Sequence, residues 1–209
     1  MTDAWNCPVS RERVLATAGI ADLGASDRVL DVGCGGGGLM EGLGRPGLGI
    51  DIDADAIDAA RTRCPAATFE VCDAADGLPT GFHLAACLGS SHAFAPGQDS
   101  LPAACHALRD CVVPRGWLLI GELYLQRTPD PDYAERLGEG LPQRTLVDTV
   151  HTIEANGWSC EHAITASEAE WDAFEWGFYR RARKQSWRDA YLRWGRGTLG
   201  YSLVLARRA

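Results

Sequence analysis

The sequence predicts a doubly wound α/β domain, a parallel sheet with helices on both faces. Two observations carry that prediction. Short apolar runs alternate with amphipathic helical segments along most of the chain. The first predicted strand ends in a glycine-rich turn, "GCGGGG" at 33–38, at the carboxyl edge of the sheet, where such folds bind ligands. The length, 209 residues, suits one domain with a buried core.

The elements follow in order. Arg11 to Ala21 reads as a helix leading into the strand "RVLDVG" (28–33), and "GLGIDI" (47–52) is the second strand. The segment "DADAIDAARTRC" (53–64) sets Ala56, Ile57, Ala60 and Cys64 at helical spacing. Asp53 is its natural N-cap, and Asp55 favours the positive helix end. "TFEVCD" (68–73) and "FHLAACLG" (82–89) are the third and fourth strands. Leu101, Ala104, Cys105, Leu108, Cys111 and Val112 mark one helical face, which "VPRG" is expected to end before the fifth strand, "WLLIGELYL" (117–125). A loop with Pro129, Pro131 and Pro142 comes next. Leu146, Val150 and Ile153 mark another helix, stopped at Asn156–Gly157. "WSCEHAIT" (158–165) reads as a sixth strand, and "TLGYSLVLAR" (198–207) alternates like a final one.

Composition narrows the function. The net charge of −8 argues against nucleic acid as a partner. Nine Arg or Lys lie from Arg180 onward against one acid, Asp189, so the C-terminal end either holds an anion or packs on the acidic body. No apolar run is long enough for a membrane span, and the N-terminus lacks the apolar region of a secretory signal. The eight cysteines form no CxxC pair and fall mostly in predicted strands and helices. They read as reduced, buried thiols of a cytoplasmic protein, with no metal site expected.

The glycine turn satisfies two patterns. Gly33, Gly35 and Gly38 give GxGxxG, the mark of a dinucleotide pyrophosphate site; Gly33, Gly35 and Gly37 give GxGxG. Three acids decide between them. Asp31 lies two residues before the first glycine, poor company for a pyrophosphate and good company for an ammonium or a sulfonium. Asp51 ends the second strand, where a carboxylate accepts hydrogen bonds from ribose hydroxyls. Asp73 ends the third, before small Ala74 and Ala75, where it can accept from the exocyclic amine of adenine. Each alone also reads as a helix cap. Together they describe S-adenosylmethionine.

With those residues the chain resembles the class I S-adenosylmethionine-dependent methyltransferases. "VLDVGCGGGG" resembles their first motif, "GIDID" the acidic motif after strand two, and "CDAADGLP" the adenine motif. It is similar in particular to a group of small bacterial members with poorly defined substrates, through "CLGSSHAF", "GE-Y" in strand five and the ending "DAYLRWGRGTLGY". The resemblance implies a Rossmann-like seven-stranded sheet whose last two strands form an antiparallel hairpin, with a helical lid insert. It implies that Asp31, Gly33, Gly35 and Gly37 hold the methionine portion and that Asp51 and Ile52 flank ribose and adenine. Asp73 and Ala74 would meet the adenine, and Leu88 would line the floor. Relatives often carry Lys and Glu where this chain has Gly36 and Gly38, and only "LMEGLGR" remains here for the first crossover helix.

Such a cofactor brings the hard chemistry, and the protein supplies orientation and, for some acceptors, a base. The catalytic candidates at the sheet's carboxyl edge are His92 after strand four and Glu122 and Tyr124 on strand five. The chain is expected to be one domain over 1–209, with 1–20, 126–144 and 168–196 as lid segments. The last carries two aromatic stripes, Trp171, Phe174 and Phe178, and Trp187, Tyr191 and Trp194. Such stripes are more often core than ligand wall. Trp176, off the first stripe, is the residue expected to touch the acceptor. The expected partner is a small-molecule acceptor, with no nucleic acid and no membrane; oligomeric state stays open. The alternatives are an NAD(P)-dependent oxidoreductase, a non-catalytic cofactor-binding module, and a methyltransferase acting on nucleic acid or protein.

Overall fold

A computed structural model describes residues 5–209, the side chain of Glu139 excepted; residues 1–4 of the expected N-terminal lid lie outside the described residues. Its seven-stranded sheet runs β3-β2-β1-β4-β5-β7-β6. The strands are β1 (Val29–Val32), β2 (Gly47–Asp51), β3 (Thr68–Val71), β4 (Phe82–Leu88), β5 (Val112–Leu125), β6 (Trp158–Thr165) and β7 (Leu199–Arg208). The first five pair in parallel; β7 runs antiparallel between β5 and β6. This is the expected Rossmann-like sheet with its antiparallel C-terminal pair.

Helices cover both faces, because alternate strand residues are apolar on both sides. One face carries Val29, Leu84, Leu119, Leu203 and Leu205. Against it lie α1 (Arg11–Gly19), α2 (Gly38–Leu43) and α3 (Ala54–Arg63), through Val14, Met40 and Ile57. The other face carries Leu30, Ala85, Leu118, Ile120 and Val204, covered by α4 (Ser100–Cys111) and α6 (Leu146–Ala155) through Leu101, Leu108 and Ile153. The chain winds outward from β1 to β3, then returns to place β4 on the other side of β1. That reversal opens a crevice beyond the carboxyl ends of β1 and β4.

Two local expectations differ from the structure, and the third segment follows its helical reading. "VPRG" does not stand outside the sheet: β5 already begins at Val112, with Arg115 at φ 63 in a bulge, so pairing jumps from Phe82↔Val112 to Leu84↔Trp117. The proline loop contains α5 (Pro131–Leu137), where Asp130 caps the N–H of Asp132 and Pro131 takes the first turn, in which its missing N–H costs nothing. Segment 168–196 folds as α7 (Glu168–Ala182), α8 (Gln185–Ala190) and a π-helical turn, Tyr191–Gly195. Gly177 does not interrupt α7, which the reciprocal Ser167–Glu170 capping box starts firmly.

Candidate active site

A cavity of about 650 Å³ occupies the crevice at the carboxyl ends of β1, β2 and β4. Its lower half is the glycine turn. Gly33, Gly35 and Gly37 all have positive φ, at 73°, 49° and 76°. They serve different ends. A Cβ on Gly33 would fall 2.1 Å from Ser90 Oγ, and one on Gly37 2.9 Å from the Ala60 Cβ. Those two let the turn approach β4 and α3. A Cβ on Gly35 would meet nothing within 4 Å, and Gly35 lines the cavity. Its bare backbone faces open space, as a close-approach ligand requires.

Two of the three acids come together here. Asp31 is 3% exposed, lines the cavity and receives no hydrogen bond among the described residues. Burial, reinforced by the nearby Asp51 carboxylate, raises its pKa to about 7. Asp51 holds the turn in shape: Oδ2 accepts from the Gly35 N–H at 2.8 Å and Oδ1 from the Asp53 N–H at 3.0 Å. Asp73 stands apart. It is outside the cavity and accepts from the Ala75 N–H at 3.0 Å as the cap of a short 3₁₀ turn. Ala74 is buried behind it. Ile52 is 74% exposed at the rim beyond Asp51, and Leu88 lines the cavity at the end of β4.

Residues 29–116 match the family model of a methyltransferase domain. The structure is similar to that of YjhP from E. coli (TM-score 0.82, 22% identity, covering 98% of this chain and 95% of that one). It is also similar to a SAM-dependent methyltransferase from Thiobacillus denitrificans in complex with S-adenosyl-L-homocysteine (TM-score 0.81, 22% identity, 99% and 94%). A geranyl diphosphate C-methyltransferase from Streptomyces coelicolor A3(2) aligns at TM-score 0.73 and 14% identity, over 95% of this chain and 76% of that one. No curated protein matches the chain in sequence.

The catalytic candidates divide. His92 lines the cavity, from a short turn after β4. Glu122 and Tyr124 do not line it. On β5 they alternate with Gly121 and Leu123, and it is Leu123 that reaches the cavity. Glu122 shares the face of Leu118 and Ile120, on the α4 and α6 side of the sheet. Burial lifts its pKa to about 7, opposed by Ser91 and Arg144, and its Oε1 lacks a hydrogen bond. Tyr124 is buried over Gly200, where a Cβ would lie 2.4 Å from its ring.

The upper half of the cavity comes from the N-terminus, α5, α7 and α8, through Trp5, Tyr133, Trp171, Phe174, Phe178 and Trp187. The first α7 stripe is thus cavity wall. Trp176 is 37% exposed, edge-on to Tyr179 and outside the lining. At about 100° of helical turn per residue it falls out of phase with Trp171, Phe174 and Phe178. Glu170 ties this roof to the N-terminus: it accepts from the Ser10 N–H at 2.9 Å and pairs with Arg13. Burial opposes its charge, but the donors from Ser10, Ser167 and Arg13 prevail and hold its pKa at about 2.

Sequence reading missed two polar groups. Glu175, beside Phe174 on α7, points a carboxylate into the cavity and accepts from the Trp187 indole N–H at 3.1 Å. Tyr201, on the alternating β7, lines the floor with a buried hydroxyl that has no hydrogen-bond partner among the described residues. Burial and the neighbouring Cys7 thiol raise its pKa well above the usual value, so it stays a phenol. The available signals were the place of Tyr201 at the end of "DAYLRWGRGTLGY" and the strand alternation that turns it to the same face as Leu199 and Leu203.

Proposed function

We propose that this chain is an S-adenosylmethionine-dependent methyltransferase acting on a small-molecule acceptor. The observation that carries the reading is Asp31. A carboxylate so buried, beside a second carboxylate and without a hydrogen-bond donor among the described residues, calls for a cationic ligand. A pyrophosphate there would add negative charge to both acids, which counts against the oxidoreductase despite the GxGxxG. S-adenosylmethionine carries an ammonium and a sulfonium, and when bound supplies the methyl group for in-line displacement.

The residues fit that group. Asp31 and the backbone of Gly33, Gly35 and Gly37 would hold the methionine portion. Asp51, with lone pairs left beyond its two backbone donors, would accept from the ribose hydroxyls. Exposed Ile52 offers an apolar face to the adenine; Asp73 and Ala74 would meet its edge, and Leu88 would lie beneath. His92 is the remaining side chain of the catalytic trio that can orient an acceptor or take its proton. The segments 1–20, 126–144 and 168–196 act as lids of one domain, excluding water above the reacting groups. The acidic body supports an acceptor other than nucleic acid, and no helix among the described residues is long and apolar enough to cross a membrane. The protein works in a bacterial cytoplasm.

A module that binds the cofactor without turnover is the second reading, favoured by the position of Glu122 and Tyr124, two of the three catalytic candidates, outside the cavity. One assay separates the two. The protein is incubated with S-adenosylmethionine and pools of small organic acceptors. Methyl transfer yields S-adenosylhomocysteine together with an acceptor heavier by one CH₂. Cofactor binding with no such product in any pool supports the module.

A further inference from the structure

The upper half of the cavity has a chemistry of its own. Trp171, Phe174 and Phe178 face it from α7 and Trp187 from α8. Between them stands one carboxylate, Glu175. Its Oε2 accepts from the Trp187 indole N–H at 3.1 Å, and no described residue donates to Oε1 or forms an ion pair with it. Burial raises its pKa, and only the Trp187 bond opposes that. The other polar groups nearby are the phenols of Tyr133 and Tyr191, whose own pKa values are raised mainly by burial and in part by the Glu175 charge. Neither is a cation. The guanidinium of Arg136 also borders the cavity, but its Nη1 is directed away, to the Ser186 carbonyl at 3.4 Å.

Aromatic faces are electronegative at their centres, and a cation over them gains roughly 0.5–2 kcal/mol, more as water is excluded. An unneutralised carboxylate set among such faces gives the space around Glu175 a negative potential, with the Arg136 guanidinium at the border and turned to the Ser186 carbonyl. We propose that the acceptor is an organic ammonium, protonated or quaternary, on an apolar body, whose cationic nitrogen pairs with Glu175 inside this aromatic wall as an anchor, having no lone pair to take a methyl group, and leaves a separate nucleophilic atom of the same molecule to accept it. The proposal rests on the methyltransferase reading and names the substrate class of that same site. The two wings of the cavity would then each hold a cation on a carboxylate, the cofactor at Asp31 and the acceptor at Glu175.

The test uses the full chain and a matched series of probes: phenethylamine, trimethyl(phenethyl)ammonium, phenethyl alcohol and 3-phenylpropionate. Binding is measured by calorimetry with and without saturating S-adenosylhomocysteine. The two ammonium probes should bind at least tenfold more tightly than the alcohol, and the carboxylate should bind weakest. Glu175→Gln should erase the ammonium preference and leave the alcohol and S-adenosylhomocysteine affinities within about threefold. Glu175→Asp should recover part of that preference. Equal affinity for alcohol and ammonium, preference for the carboxylate, no binding by either ammonium, or an unchanged preference in Glu175→Gln overturns the proposal. If Glu175→Gln does not fold, the wild-type series alone decides. Ammonium preference without S-adenosylhomocysteine binding keeps the cation chamber and removes the methyltransferase reading. Tight S-adenosylhomocysteine binding without ammonium preference does the reverse.

Discussion

Replacing Asp31 by Asn should make the protein more stable and unable to hold its cofactor. The wild-type carboxyl has its pKa raised from 3.8 to about 7. A raised acid is one the folded state prefers protonated, so folding loses stability as pH rises from about 4 through 7 and is level above. A rise of that size corresponds to roughly 4 kcal/mol at pH 8. Asn removes that cost but leaves a buried amide without a partner, which takes back about 1–2 kcal/mol. The net gain is about 2–3 kcal/mol, or roughly 5–10 °C in melting temperature for a chain of this size. At pH 4 the advantage should vanish, because the wild-type acid is then neutral. Thermal unfolding of both proteins across pH 4–8, without ligand, reads this directly, and the titration of Glu122 cancels in the difference. S-adenosylhomocysteine should bind the variant at least tenfold more weakly. A variant less stable than wild type at pH 8, or one that binds the cofactor normally, would refute the reasoning that Asp31 is a charge kept for a ligand.

Gly35→Ala should cost about 1–2 kcal/mol for a left-handed alanine yet lower S-adenosylhomocysteine affinity tenfold or more, since its methyl enters the cavity; calorimetry and melting curves separate the two effects. Gly33→Ala should destabilise more, because its methyl meets Ser90 rather than open space. Asp51→Asn should weaken S-adenosylhomocysteine by about ten- to hundredfold through lost charged hydrogen bonds to ribose, roughly 1.5–3 kcal/mol, and unchanged affinity in a titration would mean the ribose lies elsewhere. Trp176→Ala should leave folding and acceptor turnover close to wild type, whereas Phe174→Ala should lower turnover about tenfold with cofactor affinity kept, and equal effects of the two in a steady-state assay would contradict the wall assigned to α7.

The sheet and the glycine-turn half of the cavity were legible because their signals are local. A strand end, a glycine needing positive φ and an aspartate cap are each set by a few neighbouring residues, as Asp53 accepting from the Asp55 and Ala56 N–H groups illustrates. The aromatic half depends on phase. Strand alternation says that Glu122 and Tyr124 share a face but not which face, and only the pairing of β5 with β7 and the cover of α4 and α6 decide it. The same holds for α7, where the stripe of Trp171, Phe174 and Phe178 was visible and its target, cavity rather than core, was not. Pro131 reads as a loop marker, yet one residue after an aspartate it equally opens a helix. Asp73 kept both of its possible roles, since the cap it makes uses only one of its oxygens.

The most direct measurement is a competitive binding titration of the unmodified protein with S-adenosylhomocysteine, S-adenosylmethionine and NADH, repeated at pH 5.5 and 8. Both adenosyl ligands should bind in the micromolar range or tighter at pH 8, and NADH no better than a nonspecific control. The affinity for S-adenosylmethionine should fall at pH 5.5, where Asp31 takes up a proton and loses the charge that holds the cation. Micromolar NADH binding with no response to S-adenosylmethionine at either pH would contradict the account.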